Sequence, residues 1–263
     1  MKSKRKIGLI GCGWLGLPLS IHLRKLGHQL RVLSSSNKND ELLLREGITK
    51  HQLVHSEFKL SLSFFDDLDY LILSFPPFRN VAADDYLNYV ENLLRHCSKK
   101  TTVIYTSSVG VYKKGNERID EDGTIDESTL VAQTEKLIQG SISPSIILRL
   151  GGLFGPNRHP VFSIVKRGSF QNPHGVINYV HQKDVIRAVE TLIQEDQESS
   201  IYNLVHPNHP ERKAYFENAA KYFNLGILEE IETEIVRNYV DGDRIEKSTA
   251  FRYAQNPTNF SDI

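Results

Sequence analysis

With only two cysteines in 263 residues, Cys12 and Cys97, the chain has no disulfide framework, and a reducing compartment is expected. Charge of one sign is also missing. Lys+Arg and Asp+Glu number 32 each, a formal net charge of +0, so no overall field draws the chain to nucleic acid or to an anionic membrane. No stretch reaches the roughly 18 uninterrupted apolar residues that a membrane span needs. Lys2, Lys4, Arg5 and Lys6 precede an apolar stretch, as in a signal peptide. That stretch is broken by Gly8, Gly11, Gly13 and Gly16 and runs on into an amphipathic pattern with no cleavage site. Repeats of fixed period and low-complexity tracts are absent. The expectation is a soluble, cytoplasmic protein whose partner is a small-molecule substrate.

What is present is an alternation of short apolar runs with helix-period segments, the pattern of an α/β fold around a parallel sheet. The runs fall at 6–10, 29–33, 52–54, 70–74, 102–106 and 145–150. After the first run, Leu15, Leu19, His22, Leu23 and Leu26 mark one side of a helix that Gly27 ends as a left-handed cap. Pro18 is tolerated because it sits near the first turn, where backbone N–H groups lack intrahelical partners. Further helices are expected at 84–96, 128–139, 184–194 and 211–223. Beyond Leu150 the chain turns to loops rich in Gly, Pro, Asn and His. Residues 1–150 thus read as a Rossmann-type doubly wound domain, and 151–263 as a substrate-side lobe interleaved with it.

The sharpest motif is Gly11-Cys12-Gly13-Trp14-Leu15-Gly16, a G-x-G-x-x-G that follows a strand and opens a helix. The first glycine permits a tight turn, the second lets backbone approach a pyrophosphate, and the third allows helix to pack closely on strand. The helix N-terminus adds free N–H groups and roughly half a unit of positive charge. An NAD(P) cofactor is the expected ligand, with Cys12 a small filler and not a nucleophile. An NAD-preferring site should close its second strand with an acid for the ribose 2′-hydroxyl. Here the strand ends in Ser34-Ser35-Ser36-Asn37-Lys38, and the first acid is Asp40. Serine hydroxyls with Lys38 suit a 2′-phosphate, so NADP is favoured over NAD, although Ser and Asn also suit an ordinary polar turn. The fourth strand runs into Phe75-Pro76-Pro77-Phe78-Arg79. This exit is either a wall of the nicotinamide-ribose pocket or a rigid departure from the sheet.

Thr106-Ser107-Ser108-Val109-Gly110-Val111-Tyr112 resembles the serine motif of the extended short-chain dehydrogenases, the NAD-dependent sugar-nucleotide epimerase/dehydratase family. The resemblance implies that Ser108 hydrogen-bonds a reacting substrate oxygen. Residues 148–156, Leu-Arg-Leu-Gly-Gly-Leu-Phe-Gly-Pro, are similar to that family's arginine strand and Gly-Pro turn. Val180-His181-Gln182-Lys183-Asp184-Val185 resembles its late V-H-x-x-D-V segment, Ile201-Tyr202-Asn203-Leu204 its following strand, and 243–257 its ending. Gly-Trp-Leu-Gly in the loop and residues 155–160, Gly-Pro-Asn-Arg-His-Pro, are similar to the short YeeZ-like branch, related to nucleoside-diphosphate-sugar epimerases. A homodimer through helices flanking the sheet is a further implication of the resemblance.

One part of the family pattern is missing. Its chemistry uses Tyr-x-x-x-Lys on the helix after the serine strand, where lysine lowers the tyrosine pKa and tyrosine moves a proton. No tyrosine lies between Tyr112 and Tyr179. With Glu135 as the usual helix glutamate, the two slots hold Glu127 and Val131. With Lys136 as the motif lysine, the tyrosine slot holds Ala132. Losing one positioned acid–base group costs about 10²–10⁴ in rate. Tyr112, Tyr179, Glu127 or the substrate itself are the remaining proton carriers, although Tyr112 also suits a packing role and Ser108 a strand-end cap. Arg149, Arg158 and His159 cluster near a strand end and suit an anionic substrate such as a nucleotide-sugar diphosphate, or else a buried pair and a solvated loop. His206 and His209 have metal-like spacing without supporting ligands, and no metal is expected. His181 reads as a structural histidine, Asp184 as a helix N-cap and 229–234 as a solvated acidic face. Two functions stay open: an atypical NADP-preferring oxidoreductase or epimerase, and a catalytically silent NAD(P)H-sensing regulator.

Overall fold

The computed structural model describes residues 4–53, 61–78, 81–226, 229–233 and 236–263. Among them, seven strands form one parallel sheet: β1 (Lys6–Ile10), β2 (Gln29–Ser34), β3 (Thr49–Gln52), β4 (Tyr70–Leu73), β5 (Thr102–Ser108), β6 (Ser145–Leu150) and β7 (Ser200–Leu204). Their order is β7-β6-β5-β4-β1-β2-β3. β1 pairs in parallel with both β2 and β4, Ile10 lying beside Leu33 on one flank and Leu73 on the other. The chain therefore builds outward one way through β2 and β3 and the other way from β4, and the order reverses at β1. In open α/β sheets the ligand crevice lies at that reversal, outside the carboxyl ends of the strands.

Every residue of β4 and of β6 is buried, which fits strands covered on both faces. β3 differs from its expected place at 52–54: it is Thr49–Gln52, and Val54 lies outside the described residues. Its polar Thr-Lys-His-Gln sequence is half-exposed at the sheet edge, so apolar content does not reveal it.

The chain divides into two compact units, one of Met1–Ser107, Asp126–Leu148 and Asp196–Ile201, the other of Ser108–Ile125, Arg149–Glu195 and Tyr202–Ile263. In the first unit, α1 (Gly16–Lys25) buries Leu19 and Leu23 completely, and Pro18 falls in its first turn. Gly27, at φ +94°, ends it, with Gly27 N–H donating to the Arg24 carbonyl at 2.9 Å and His28 N–H to Leu23 at 3.3 Å. After α2 (Asp40–Arg45), a short helix absent from the sequence expectations, α3 (Ala83–Arg95) turns Tyr86, Tyr89, Val90, Leu93 and Leu94 inward at helical spacing. They share a core with Ile138 of α4 (Leu130–Gln139), whose first turn is capped by Thr129 accepting from Ala132 N–H at 3.2 Å.

The second unit contains α5 (Pro160–Arg167), α6 (Gln182–Gln194), α7 (Arg212–Tyr222) and α8 (Asp243–Ser248). Three short parallel ladders accompany them: Gly152–Phe154 with Tyr179–His181, Ser169–Gln171 with Glu229–Ile231, and Arg118–Ile119 with Tyr239–Val240. A core of Val161, Ile164, Phe170, Ile177, Tyr215 and Phe216 lies between α5 and α7. The N-cap of α6 is His181, not Asp184. Asp184 instead points its fully buried carboxylate at the tail, accepting from Ala254 N–H at 3.2 Å and Gln255 N–H at 3.0 Å. No described helix is long and apolar enough to cross a membrane.

Candidate dinucleotide site

The glycine loop leaves β1 at the sheet reversal. Gly11 N–H donates to the Leu33 carbonyl at 3.3 Å, and Ser74 N–H donates to Ile10 at 2.9 Å, so the loop is fixed between the ends of β2 and β4. Its three glycines do different work. Gly11 sits at φ +99°, and a Cβ there would stand 2.2 Å from the Ser74 carbonyl oxygen. A Cβ on Gly16 would stand 2.0 Å from the Gly11 oxygen and 3.1 Å from Leu9 Cδ2, so only glycine lets the helix start so close to turn and strand. A Cβ on Gly13 would meet nothing within 4 Å. Gly13 is exposed, so the place of its missing Cβ is open space, whereas at the other two glycines the protein itself fills that place.

Residues 10–13 and 33–36, with Leu53, Phe75 and Phe78, line a cavity of about 230 Å³. Gly11, Cys12, Gly13, Ser34, Ser35 and Phe75 are thus brought together as expected positions. Trp14 (half-buried), Leu15 and Gly16 (both buried) continue the loop into α1 and do not line this cavity, nor do exposed Lys38 and Pro76. Phe75 stacks on Phe78, ring centroids 5.4 Å apart and planes 13° apart, so the Phe-Pro-Pro-Phe exit builds an aromatic wall. That wall faces the ends of β2 and β3. Arg79 lies outside the described residues.

The turn after β2 is held by its own hydroxyls: Ser36 N–H donates to Ser34 Oγ at 3.3 Å and Lys38 N–H to Ser36 Oγ at 3.2 Å. Asn39 Nδ2 ties it to the glycine loop by donating to the Cys12 carbonyl at 3.2 Å. Burial pushes the Cys12 thiol up to about 11, which keeps it protonated and unreactive. Lys50 on β3, overlooked in the sequence, donates to Asn37 Oδ1 at 2.7 Å and Asp40 Oδ1 at 2.6 Å. Nothing in a polar edge strand announces that pairing; it requires the register that sets Val32 beside Lys50.

At the end of β5, Ser107 donates its hydroxyl to the buried Glu135 carboxylate of α4. Glu127 is exposed before α4, while Val131 is half-buried and Ala132 buried on it.

In the second unit, Ser108 accepts from Gly110 N–H at 3.1 Å, capping a single helical turn at Val109–Val111. Its own proton remains available for donation. Tyr112 is 5% exposed, donates to Asn203 Oδ1 at 2.7 Å and accepts from Arg149 Nη1 at 2.8 Å. The Arg149 guanidinium lies 4.9 Å from the Tyr112 ring centroid, and Nη1 also donates to the Glu121 carbonyl at 3.0 Å. Burial raises the Tyr112 pKa, opposed by Arg149. Tyr112 and Arg149, the expected catalytic and substrate-binding side chains, are both buried and hydrogen-bonded to each other.

His159, also expected on the substrate side, is 3% exposed. Its Nδ1 accepts from Val161 N–H at 3.2 Å as the N-cap of α5, which leaves the proton on Nε2 for the Tyr215 hydroxyl at 2.7 Å. Arg158 is exposed in a tight turn closed by reciprocal backbone bonds with Gly155, both 2.9 Å. Tyr179 packs on Tyr215 and Phe154. His181 accepts from Lys183 N–H at 3.1 Å, while its buried Nε2 has no hydrogen-bond partner among the described residues. Burial holds both His159 and His181 at about 4. His206 and His209 turn Nδ1 to Asn208 N–H and the Ile177 carbonyl, at 3.0 and 3.1 Å. No group of three potential metal ligands occurs among the described residues. Glu229 is exposed and Glu230 pairs with Lys213; Glu234 is outside the described residues.

Residues 6–126 match the model of the NAD binding domain of 6-phosphogluconate dehydrogenase. Over 276 aligned positions the chain is 30% identical to protein YeeZ of Escherichia coli (strain K12), covering 95% of this chain and 96% of that one. Two solved structures show the same fold at low identity. The Bordetella bronchiseptica enzyme WbmG, in complex with NAD and UDP, matches with a TM-score of 0.81 at 17% identity, covering 99% of this chain and 91% of that one. UDP-glucuronic acid 4-epimerase from Bacillus cereus, in complex with NAD, matches with a TM-score of 0.75 at 13% identity, covering 96% and 93%.

Proposed function

We propose that this chain, which belongs to the YeeZ family, is an NADP-preferring oxidoreductase or epimerase of the extended short-chain dehydrogenase type, acting on a polar, nucleotide-linked substrate. The observation that carries the cofactor half is Gly13, whose missing Cβ opens onto free space beside a cavity shared with the β2 turn. A diphosphate fits there, against the N-terminus of α1 and its partial positive charge. Ser34, Ser35 and Ser36 line the cavity where the adenine ribose is read, and no carboxylate does, which suits a 2′-phosphate. On this reading Phe75 and Phe78 stand on the adenosine side of the site, and not beside the nicotinamide ribose.

Bound nicotinamide supplies a hydride donor or acceptor. The chain supplies Ser108, whose hydroxyl accepts from Gly110 and keeps its proton to donate to a substrate oxygen. The Ser107–Glu135 pair favours Glu135 as the helix glutamate, which puts Glu127 and Val131 in the Tyr and Lys slots. Glu127, exposed, is then the side chain in the tyrosine slot able to carry a proton. The missing Tyr-x-x-x-Lys also supports the second reading, a silent NAD(P)H sensor.

Titration with NADPH, NADP, NADH and NAD, followed by fluorescence of Trp14, the single tryptophan, tests the proposal. Saturable quenching, tighter for the phosphorylated pair, is expected. Tighter NAD binding refutes the preference, and no binding of any of the four refutes the cofactor assignment. Turnover with nucleotide-diphosphate sugars separates the enzyme from the sensor.

A further inference from the structure

The turn after β2 contains an ion pair that the glycine motif does not predict. Asp40 is the first acid after β2; it lies outside the cavity lining, four residues beyond Ser36, and an uncompensated charge there would repel a 2′-phosphate held by the serine turn. Its carboxylate is 45% exposed and does not stand alone: Lys50 Nζ, on a side chain only 14% exposed, sits 2.6 Å from it and 2.7 Å from Asn37 Oδ1. The Asn39 bond to the Cys12 carbonyl fixes this turn against the glycine loop at 3.2 Å. Both charges are felt at the loop, since Lys50 lowers and Asp40 raises the Cys12 thiol pKa.

We infer that Lys50 is the specificity-determining residue of the site: by neutralising Asp40 from β3, it makes the Ser34–Ser35–Ser36 turn acceptable to a 2′-phosphate. This rests on the NADP reading above and adds the residue that enforces it. The element works as a pair. Asp40 with Lys50 presents no net charge and leaves the ammonium able to turn to an incoming phosphate, whereas Asp40 without Lys50 presents an uncompensated carboxylate. Lys38, the cation nearest β2 in sequence, is exposed and makes no such contact in the described structure.

The test is the ratio Kd(NADH)/Kd(NADPH), measured by Trp14 fluorescence on the full chain for wild type, Lys50→Met, Lys50→Arg and the double variant Asp40→Asn/Lys50→Met. A charged hydrogen-bond partner is lost and a like charge exposed, so Lys50→Met should lower the ratio by about tenfold or more. Lys50→Arg should keep most of it, and the double variant should recover part by removing the repulsion. A merely structural role for Lys50 would weaken both cofactors alike and leave the ratio unmoved, which overturns the inference. So would a Lys50→Met ratio that the double variant fails to raise. Wild type that binds neither cofactor refutes the dinucleotide reading itself, and that result is distinct because it appears before any substitution is made.

Discussion

Two alanine substitutions in one loop should separate folding from binding. At Gly16 the new methyl would stand 2.0 Å from the Gly11 oxygen and 3.0 Å from its carbonyl carbon. Both are backbone atoms, which cannot rotate aside, and Gly11 is itself pinned by its bond to Leu33. The cost belongs at the upper end of overpacking penalties, about 3 kcal/mol. For a chain of this size each kcal/mol moves Tm by about 2–4 °C, so Gly16→Ala should lower it by roughly 6–12 °C. At Gly13 the methyl meets nothing within 4 Å, and Gly13 is not among the positive-φ glycines, so Gly13→Ala should stay within about 0.5 kcal/mol of wild type. Its methyl nonetheless occupies the approach to the loop and should weaken dinucleotide binding by about tenfold or more. Calorimetry gives the first quantity and Trp14 fluorescence titration the second. Equal losses of Tm in the two variants, or unaltered binding by Gly13→Ala, would refute the assignment of separate roles to these glycines.

Three other outcomes are expected. Ser107→Ala removes a donor from the buried Glu135 carboxylate and should cost about 1–3 kcal/mol in urea unfolding; an unchanged midpoint would show that the pair contributes nothing. Tyr112→Phe leaves the fully buried Asn203 Oδ1 without its donor and should destabilise by about 1–3 kcal/mol, whereas a loss of turnover at full stability would restore Tyr112 to the chemistry. His159 and His181 are held at about 4, below the ordinary histidine value of about 6.5, so the unfolded chain binds more protons between those limits. Their stabilisation is complete above about pH 6.5 and is lost as pH falls through 4; going from pH 7 to 5 should cost about 2 kcal/mol per histidine. Urea titrations across that range, with His159→Gln as the flatter control, check it, and a pH-independent midpoint would contradict the buried neutral state.

Much of the sheet is legible in the sequence because its inner strands are apolar on both faces. Residues 145–150 and 6–10 are short runs dominated by Ile and Leu, and both strands fall at those bounds. β3 shows the limit of that signal. At an edge, Thr-Lys-His-Gln has little to bury, and the neighbouring apolar residues place the expected strand two to three positions late. α5 escapes a sequence reading for a related reason: its start signal, His159 before Pro160, belongs to a histidine acting as N-cap, and the loop-like Gly-Pro-Asn-Arg ahead of it dominates the local composition. For Arg149 and His159, charge and position are visible in sequence, while their burial is not.

The sequence by itself determined the dinucleotide loop, since two of its three glycines answer a local constraint: a positive φ at Gly11 and a helix start at Gly16 packed on the chain a few residues earlier. It determined equally that Tyr-x-x-x-Lys is missing, which is a matter of composition along one helix. Only the tertiary structure decided that Tyr112, Arg149 and Asn203 form one buried network, that Ser107 meets Glu135, and that Lys50 meets Asp40. These partners are 10 to 91 residues apart. Strand register and helix docking bring them together, so no local pattern encodes the contact, and the role of each side chain follows from the partner it is given.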